Sequence, residues 1–210
     1  MIHSSHLFLK AFMKTELKNG IKAFYAKNRK QWRSWLEKNG EKEKSVWLIM
    51  YKKESEFPSV YYTEAVEEAL CFGWIDSKAN KRDAQSYYQF FARRNPKSKW
   101  SKVNKQRVEQ LLTAGLMQPG GLAAIETAKQ NGTWTALDEV ETLTVPEDLQ
   151  KALAQNEDAM KYFSAFPRSA KRAMLEWIAS AKQEVTRRRR IEETVTLAAK
   201  NTRANQYKPK

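Results

Sequence analysis

The side chains able to do chemistry are concentrated between Tyr61 and Asn104. Three carboxylates come first, Glu64, Glu67 and Glu68. On a helix Glu64 and Glu68 share a face, as paired carboxylates must for acid–base work or metal binding. Without a histidine or a second acidic cluster that pattern is weak, and complementing the helix dipole explains it better. Cys71 has no histidine beside it to activate the thiol and reads as a small core residue. Asp76 closes the run Cys71-Phe72-Gly73-Trp74-Ile75-Asp76, and Arg93 precedes Pro96 in a basic turn. Asp76 and Arg93 can line a polar pocket in which the guanidinium holds a phosphate or carboxylate through two donors; the competing reading is a structural Asp–Arg pair. Lys97, Lys99, Lys102 and Lys105 are interleaved with Trp100, a pattern that suits a polyanion, against which stands a plain solvated face. Trp47, Trp74, Tyr88, Phe90 and Trp100 can form a stacking platform for bases or a flat metabolite, or the packed faces of a small sheet. The expected ligand-binding set is Trp74, Asp76, Arg93, Lys97, Lys99, Trp100 and Asn104. No catalytic residue, cofactor or metal ligand is expected.

Several function classes are set aside by what is missing. The chain's two histidines are His3 and His6, whereas a histidine-based zinc site or a Ser-His-Asp triad needs histidine inside the fold. A single cysteine excludes an internal disulfide framework and fits a reducing compartment. The seven glycines form neither a GxGxxG nor a GxxxxGK[ST] loop, so the usual dinucleotide and phosphate cradles are not expected. A net charge of +14 favours an anionic small molecule or a polyanion, nucleic acid included, and also serves solubility. The charge is uneven: Lys78 to Arg107 holds ten Lys/Arg and one acid, Leu137 to Met160 seven acids and one lysine. The start, MIHSSHLFLKAFMK, is interrupted by Lys10 and makes a poor signal peptide; Met13 is an alternative start. No apolar run approaches the ~18 residues of a transmembrane helix, and a cytoplasmic protein is expected.

The elements that would position these groups can be read from periodicity. Trp32 to Leu36 has helical spacing, stopped at Asn39-Gly40, and Val46 to Lys53 reads as a buried strand. Thr63 can cap a helix that turns Val66 and Leu70 inward. Trp74 and Asp76 alternate to one face of the next strand. In Ser86 to Phe91, Tyr88 and Phe90 lie opposite Tyr87 and Phe91. Helices are expected after Asn95-Pro96, from Pro119 to Asn131-Gly132, from Pro146 to Gln155-Asn156, from an Asn156 cap to Pro167, and over Arg168 to Ala181 and Val185 to Lys200. On the last of these, Arg188 can meet Glu184 and Glu192, and Arg189 can meet Glu193, leaving Arg187 and Arg190 unpaired. The expected class is α+β. A small antiparallel sheet with packed helices forms the N-terminal half, and the C-terminal half is all-helical. Expected divisions are an extension over 1–18, the sheet-bearing domain over 19–117, a helical region over 118–200 and a flexible tail over 201–210, with the main boundary in the window 117–135.

Further residues carry a resemblance. They are Val46-Trp47-Leu48 with Lys52-Lys53, the block Glu64 to Asp76, then Phe91, Arg93, Pro96, Ser98, Trp100-Ser101 and Asn104. Pro119-Gly120, Asn131-Gly132-Thr133-Trp134 and Val145-Pro146 follow. On these the chain resembles the YdeI/OmpD-associated family, also called bacteriocin-protection or OmdA-like, over roughly residues 30–200. The resemblance implies a loose link to tolerance of bacteriocins or antimicrobial peptides and no settled reaction. A chain of charge +14 repels a cationic peptide, so protection would act indirectly, through envelope lipid, nucleic acid or regulation. A non-enzymatic binding protein for an anionic ligand ranks first. A nucleic-acid-binding module that adds Arg187 to Arg190 ranks second. A small-molecule enzyme with Asp76 or Glu68 as general base ranks third.

Overall fold

The computed structural model describes residues 16–205. His3, His6, Met13 and most of the extension expected over 1–18 lie outside the described residues, as does the tail from residue 206 onward. The chain divides into two compact units. The first comprises the described residues up to Ser98 together with Val103–Thr133, and the second Lys99–Lys102 together with the described residues from Trp134.

The first unit is built on five strands: β1 (Leu17–Lys18), β2 (Ile21–Tyr25), β3 (Ser45–Tyr51), β4 (Trp74–Lys81) and β5 (Ser86–Arg93), in the order β1-β2-β3-β5-β4. With the helices this is the α+β class expected. The sheet is mixed rather than purely antiparallel, because β2 and β3 run parallel. Parallel neighbours need a crossover, and α1 (Arg29–Asn39) supplies it. The run Ile21–Tyr25 was not legible as a strand; its five residues alternate weakly and sit at the short edge beside β1. β3 reads as a continuous apolar run because its five central residues are all buried.

The helix α1 starts where Asn28 accepts from the Gln31 N–H at 3.0 Å, and it buries Trp32 and Leu36, four residues apart. Helix α2 (Tyr62–Cys71) begins earlier than a Thr63 cap would set it. Tyr61 is the N-cap residue, and the Glu64 carboxylate reaches back to its N–H at 3.1 Å. The Trp32 Nε1–H donates to the Ala65 carbonyl at 3.0 Å and ties α1 to α2. Helices α3 (Lys102–Thr113) and α4 (Pro119–Gln130) follow, α4 carrying proline in its first turn.

Gly73 ends the α2 segment at φ +74°, and a Cβ there would meet the Gly120 carbonyl oxygen at 2.5 Å. A Cβ on Gly120 would in turn meet the Phe72 carbonyl at 2.8 Å. The glycines let the backbone entering β4 and the start of α4 touch directly.

The second unit contains α5 (Asp138–Thr142), α6 (Glu147–Ala154), α7 (Glu157–Ala165), α8 (Arg168–Ala179) and α9 (Glu184–Ala198). Their core includes Leu149, Leu153, Phe163, Met174, Ile178, Ile191 and Ala198. Asn156 caps α7 as its sequence suggests, accepting from the Ala159 N–H at 2.9 Å. Residues 201–205 run on in a turn that buries Ala204 and lays the Arg203 guanidinium over Phe166.

Candidate functional site

Trp74, Asp76, Arg93, Lys97 and Asn104 fall in the first unit, Lys99 and Trp100 in the second. Trp74 is fully buried, and its Nε1–H donates to the Gly40 carbonyl at 3.1 Å. Arg93 pairs with Trp74 across β4 and β5, and its Nε–H donates to the same Gly40 carbonyl at 3.1 Å and to the Glu43 carbonyl at 3.0 Å. These two predicted binding residues pin the turn between α1 and β3. Trp100 is buried with its ring 5.0 Å from that of Trp134, and Lys97 is exposed.

Asp76 accepts from the Tyr62 hydroxyl at 2.7 Å and from Gln89 Nε2 at 3.3 Å, and it makes no bond with Arg93. Burial, then the bond to the Asp76 carboxylate, pushes the Tyr62 hydroxyl up to about 12. Asn104 Oδ1 accepts from Arg107 at 3.2 Å, and the Arg107 charge acts on Tyr62. Asp76 and Asn104 therefore belong to one neighbourhood, reached through Tyr62 and Arg107, which the sequence did not single out.

Immediately after Asp76 the β4–β5 register slips between Asp76 and Ala79. Two residues, Ser77 and Lys78, face the single position of Phe90, the signature of a β-bulge. The bulge delivers Lys78 to the opposite sheet face, where its Nζ lies 5.7 Å from the Phe90 ring centroid and 5.7 Å from that of Trp47. From the other edge Lys18 reaches the same group, 4.7 Å from the Tyr88 ring and 5.8 Å from Trp47. Between them Ala23, in register with Trp47, contributes only a methyl. Trp47 pairs in register with Phe90, their rings 4.8 Å apart, and Tyr88 meets Trp47 edge-on at 6.0 Å. Of the aromatic platform expected from sequence, Trp47, Tyr88 and Phe90 are thus brought together, while Trp74 packs against Trp35 elsewhere.

The charges on this face are unequal in their commitments. Arg82 is bound by Glu16 through two bonds of 3.0 Å and by Asp83 at 2.9 Å. Glu16 also accepts from the Tyr88 hydroxyl, and Arg82 holds its carboxyl below the usual range. Lys18 and Lys78 have no carboxylate within ion-pair distance among the described residues. Trp47 is 1% exposed, and its Nε1–H is buried without a hydrogen-bond partner.

The carboxylates of α2 are engaged structurally. Glu68, 2% exposed, accepts from Arg29 at 2.5 Å and from Arg33 at 2.7 Å, and Glu67 accepts from Arg29 at 2.8 Å. The dipole role read for them is overtaken by a buried ion network between α1 and α2. Beside it Cys71 is wholly buried, and desolvation, then the Glu68 charge, pushes its thiol up to about 11. A thiol reagent at pH 8 should leave folded protein unlabelled and react at once on denaturation. Rapid labelling of the native chain would show that the α2 end opens.

In the second unit the four-arginine run behaves opposite to its local pairing pattern. Arg187 binds Asp148 through bonds of 2.6 and 2.9 Å. Arg190 donates to the Trp177 carbonyl and to Ser180, with its guanidinium over the Trp177 ring. No ion pair among the described residues contains Arg188 or Arg189. A groove of about 420 Å³ in this unit is lined by apolar residues including Leu143, Met160 and Leu175, with Lys171 among its polar members.

Two family models match the chain. Residues 24–124, which include the whole block Glu64 to Asp76, match a domain of unknown function (DUF8412). Residues 142–201, the greater part of the second unit, match the family described as bacteriocin-protection, YdeI or OmpD-associated. No curated protein and no solved structure matches the chain.

Proposed function

From the premise that residues 142–201 belong to the bacteriocin-protection, YdeI or OmpD-associated family, we propose that this chain is a non-enzymatic binding protein that recognises an anionic ligand through the sheet of its first unit. The carrying observation is the pair of ammonium groups, Lys18 and Lys78, held over the Trp47, Tyr88 and Phe90 rings with no carboxylate within ion-pair distance among the described residues. A ring face attracts an ammonium by only about 0.5–1 kcal/mol at an exposed site, so both lysines can turn to an anion at little cost. Arg82, bound to Glu16 and Asp83, holds the edge of the face rather than competing for the ligand. Asp76 lies on the other side of the sheet from Lys78, so its charge does not oppose an anion there. The family name attaches to residues 142–201 and speaks of bacteriocin protection; for such a role the +14 charge favours an anionic partner over a cationic peptide.

The test is calorimetric titration of the full chain with pyrophosphate, beside anisotropy titration of labelled single-stranded RNA and duplex DNA at two salt concentrations. Pyrophosphate should bind, and the Lys18→Gln/Lys78→Gln double variant should lose that binding with an unchanged melting temperature. Two ammoniums give duplex DNA a shallow salt slope of roughly −1.8. A slope of about −5 or steeper would move the function to a nucleic-acid-binding module engaging many more cations. Undiminished pyrophosphate binding by the double variant would defeat the proposal.

A further inference from the structure

We infer that this face takes the phosphate monoester group of a small molecule, with the Trp47 Nε1–H as its third donor beside Lys18 and Lys78; the inference rests on the reading just given. Buried donors in folded proteins are nearly always paired, and each exception calls for a cause. The Trp47 N–H is such an exception, on a residue 1% exposed, and both unneutralised ammoniums of the face stand over that same indole, at 5.7 and 5.8 Å from its centroid. A group that accepts from the indole and meets both lysines would satisfy all three at once.

The charge count selects its class. Two ammoniums without carboxylates call for two negative charges. A phosphate monoester carries about −1.5 to −2 near neutral pH, whereas a carboxylate carries one and a phosphodiester linkage one. The donor chemistry agrees. An ammonium is a compact point charge with three donors that turn freely, and an indole N–H is a single fixed donor. Together they suit a tetrahedral group with three terminal oxygens better than a planar carboxylate, for which the guanidinium fork is the natural partner. Arg82, whose guanidinium stands over the Tyr88 ring, already has two carboxylates. Lys78 stands exposed on its bulge and reaches Trp47 only by folding over Phe90, so it can lift to admit the group and close on it.

The indole N–H resonances of ¹⁵N-labelled full chain report directly. The Trp47 peak is identified by its loss in Trp47→Phe, and inorganic phosphate is titrated at constant ionic strength. The Trp47 peak should move saturably, Lys18→Gln and Lys78→Gln should each weaken binding about tenfold, and acetate should move the peak little. Between pH 7.5 and 5.5 the binding of a phosphate monoester, glycerol phosphate, should fall about fourfold as its second proton returns, with pKa near 6, while sulfate, a dianion throughout, should hold its affinity. If phosphate binding depends on the two lysines but the Trp47 peak stays still, or if acetate binds as well as phosphate, anion binding stands and this inference falls. An RNA oligonucleotide that outcompetes phosphate at equal phosphate concentration also overturns it. If the double lysine variant binds phosphate like the parent chain, the preceding reading falls and takes this one with it.

Discussion

Replacing Glu68 with alanine should lower the stability of the chain by about 3–5 kcal/mol, the range for removing one partner of a buried ion pair. Glu68 is the shared acceptor of Arg29 and Arg33, at 2.5 and 2.7 Å, and is 2% exposed. Without it two guanidiniums are left in one half-buried place, with Glu67 partnering only Arg29. Arg33 would keep its bond to the Leu116 carbonyl at 3.2 Å and its ion pair with Glu37 at 3.4 Å, and the side chains of Arg29 and Arg33 are 34% and 23% exposed. Water can therefore reach them, and the loss should sit toward the lower end. The check is urea unfolding with an unchanged m-value. Arg33→Ala and the double variant Arg33→Ala/Glu68→Ala close a cycle whose coupling should exceed about 1 kcal/mol. A loss below about 1 kcal/mol in Glu68→Ala would mean that desolvation cancels the attraction and that α1 and α2 are held by Trp32 and the apolar core alone.

Gly73→Ala should be among the most damaging single-methyl changes in the first unit, costing about 2–5 kcal/mol. Two independent penalties add. A non-glycine residue at φ +74° is strained by about 1–2 kcal/mol, and forcing a methyl into the contact at 2.5 Å from the Gly120 carbonyl costs a further ~1–3 kcal/mol. The oxygen cannot retreat cheaply, because it belongs to the first turn of α4. Gly132→Ala separates the two terms. It has the same sign of φ, +76°, with nothing within 4 Å of a Cβ, so it should lose only the backbone part, about 1–2 kcal/mol. Equal losses at the two positions would show that α4 gives way and that the close approach carries no energy of its own.

Local signals were strong wherever a short stretch decided the outcome. The Asn156 cap of α7, the proline opening α4, the buried run of β3 and the opposed faces of Tyr88 and Phe90 against Tyr87 and Phe91 each depend on neighbours a few residues away. Errors arose where a distant partner decided. β2 becomes a strand because β3 lies beside it in parallel, twenty-four residues on in register. Arg187 and Arg190, left unpaired by local spacing, find Asp148 and Trp177.

The same division runs through the candidate site. The sequence by itself determined the α+β class, the basic charge, the absence of histidine after residue 6 and the aromatic strands, because composition and periodicity are properties of the chain alone. Of the ligand-binding set it named, Asp76 lies on the other side of the sheet from Lys78. Only the tertiary structure decided that Trp74 and Arg93 would both turn to the Gly40 carbonyl, since the turn that presents it is remote in sequence. Only the tertiary structure brought Lys18 from one sheet edge and Lys78 from a bulge at the other over Trp47. Pairing across a sheet joins residues tens of positions apart, and a bulge reverses which face a side chain meets. Neither leaves a trace in the spacing of the residues it brings together.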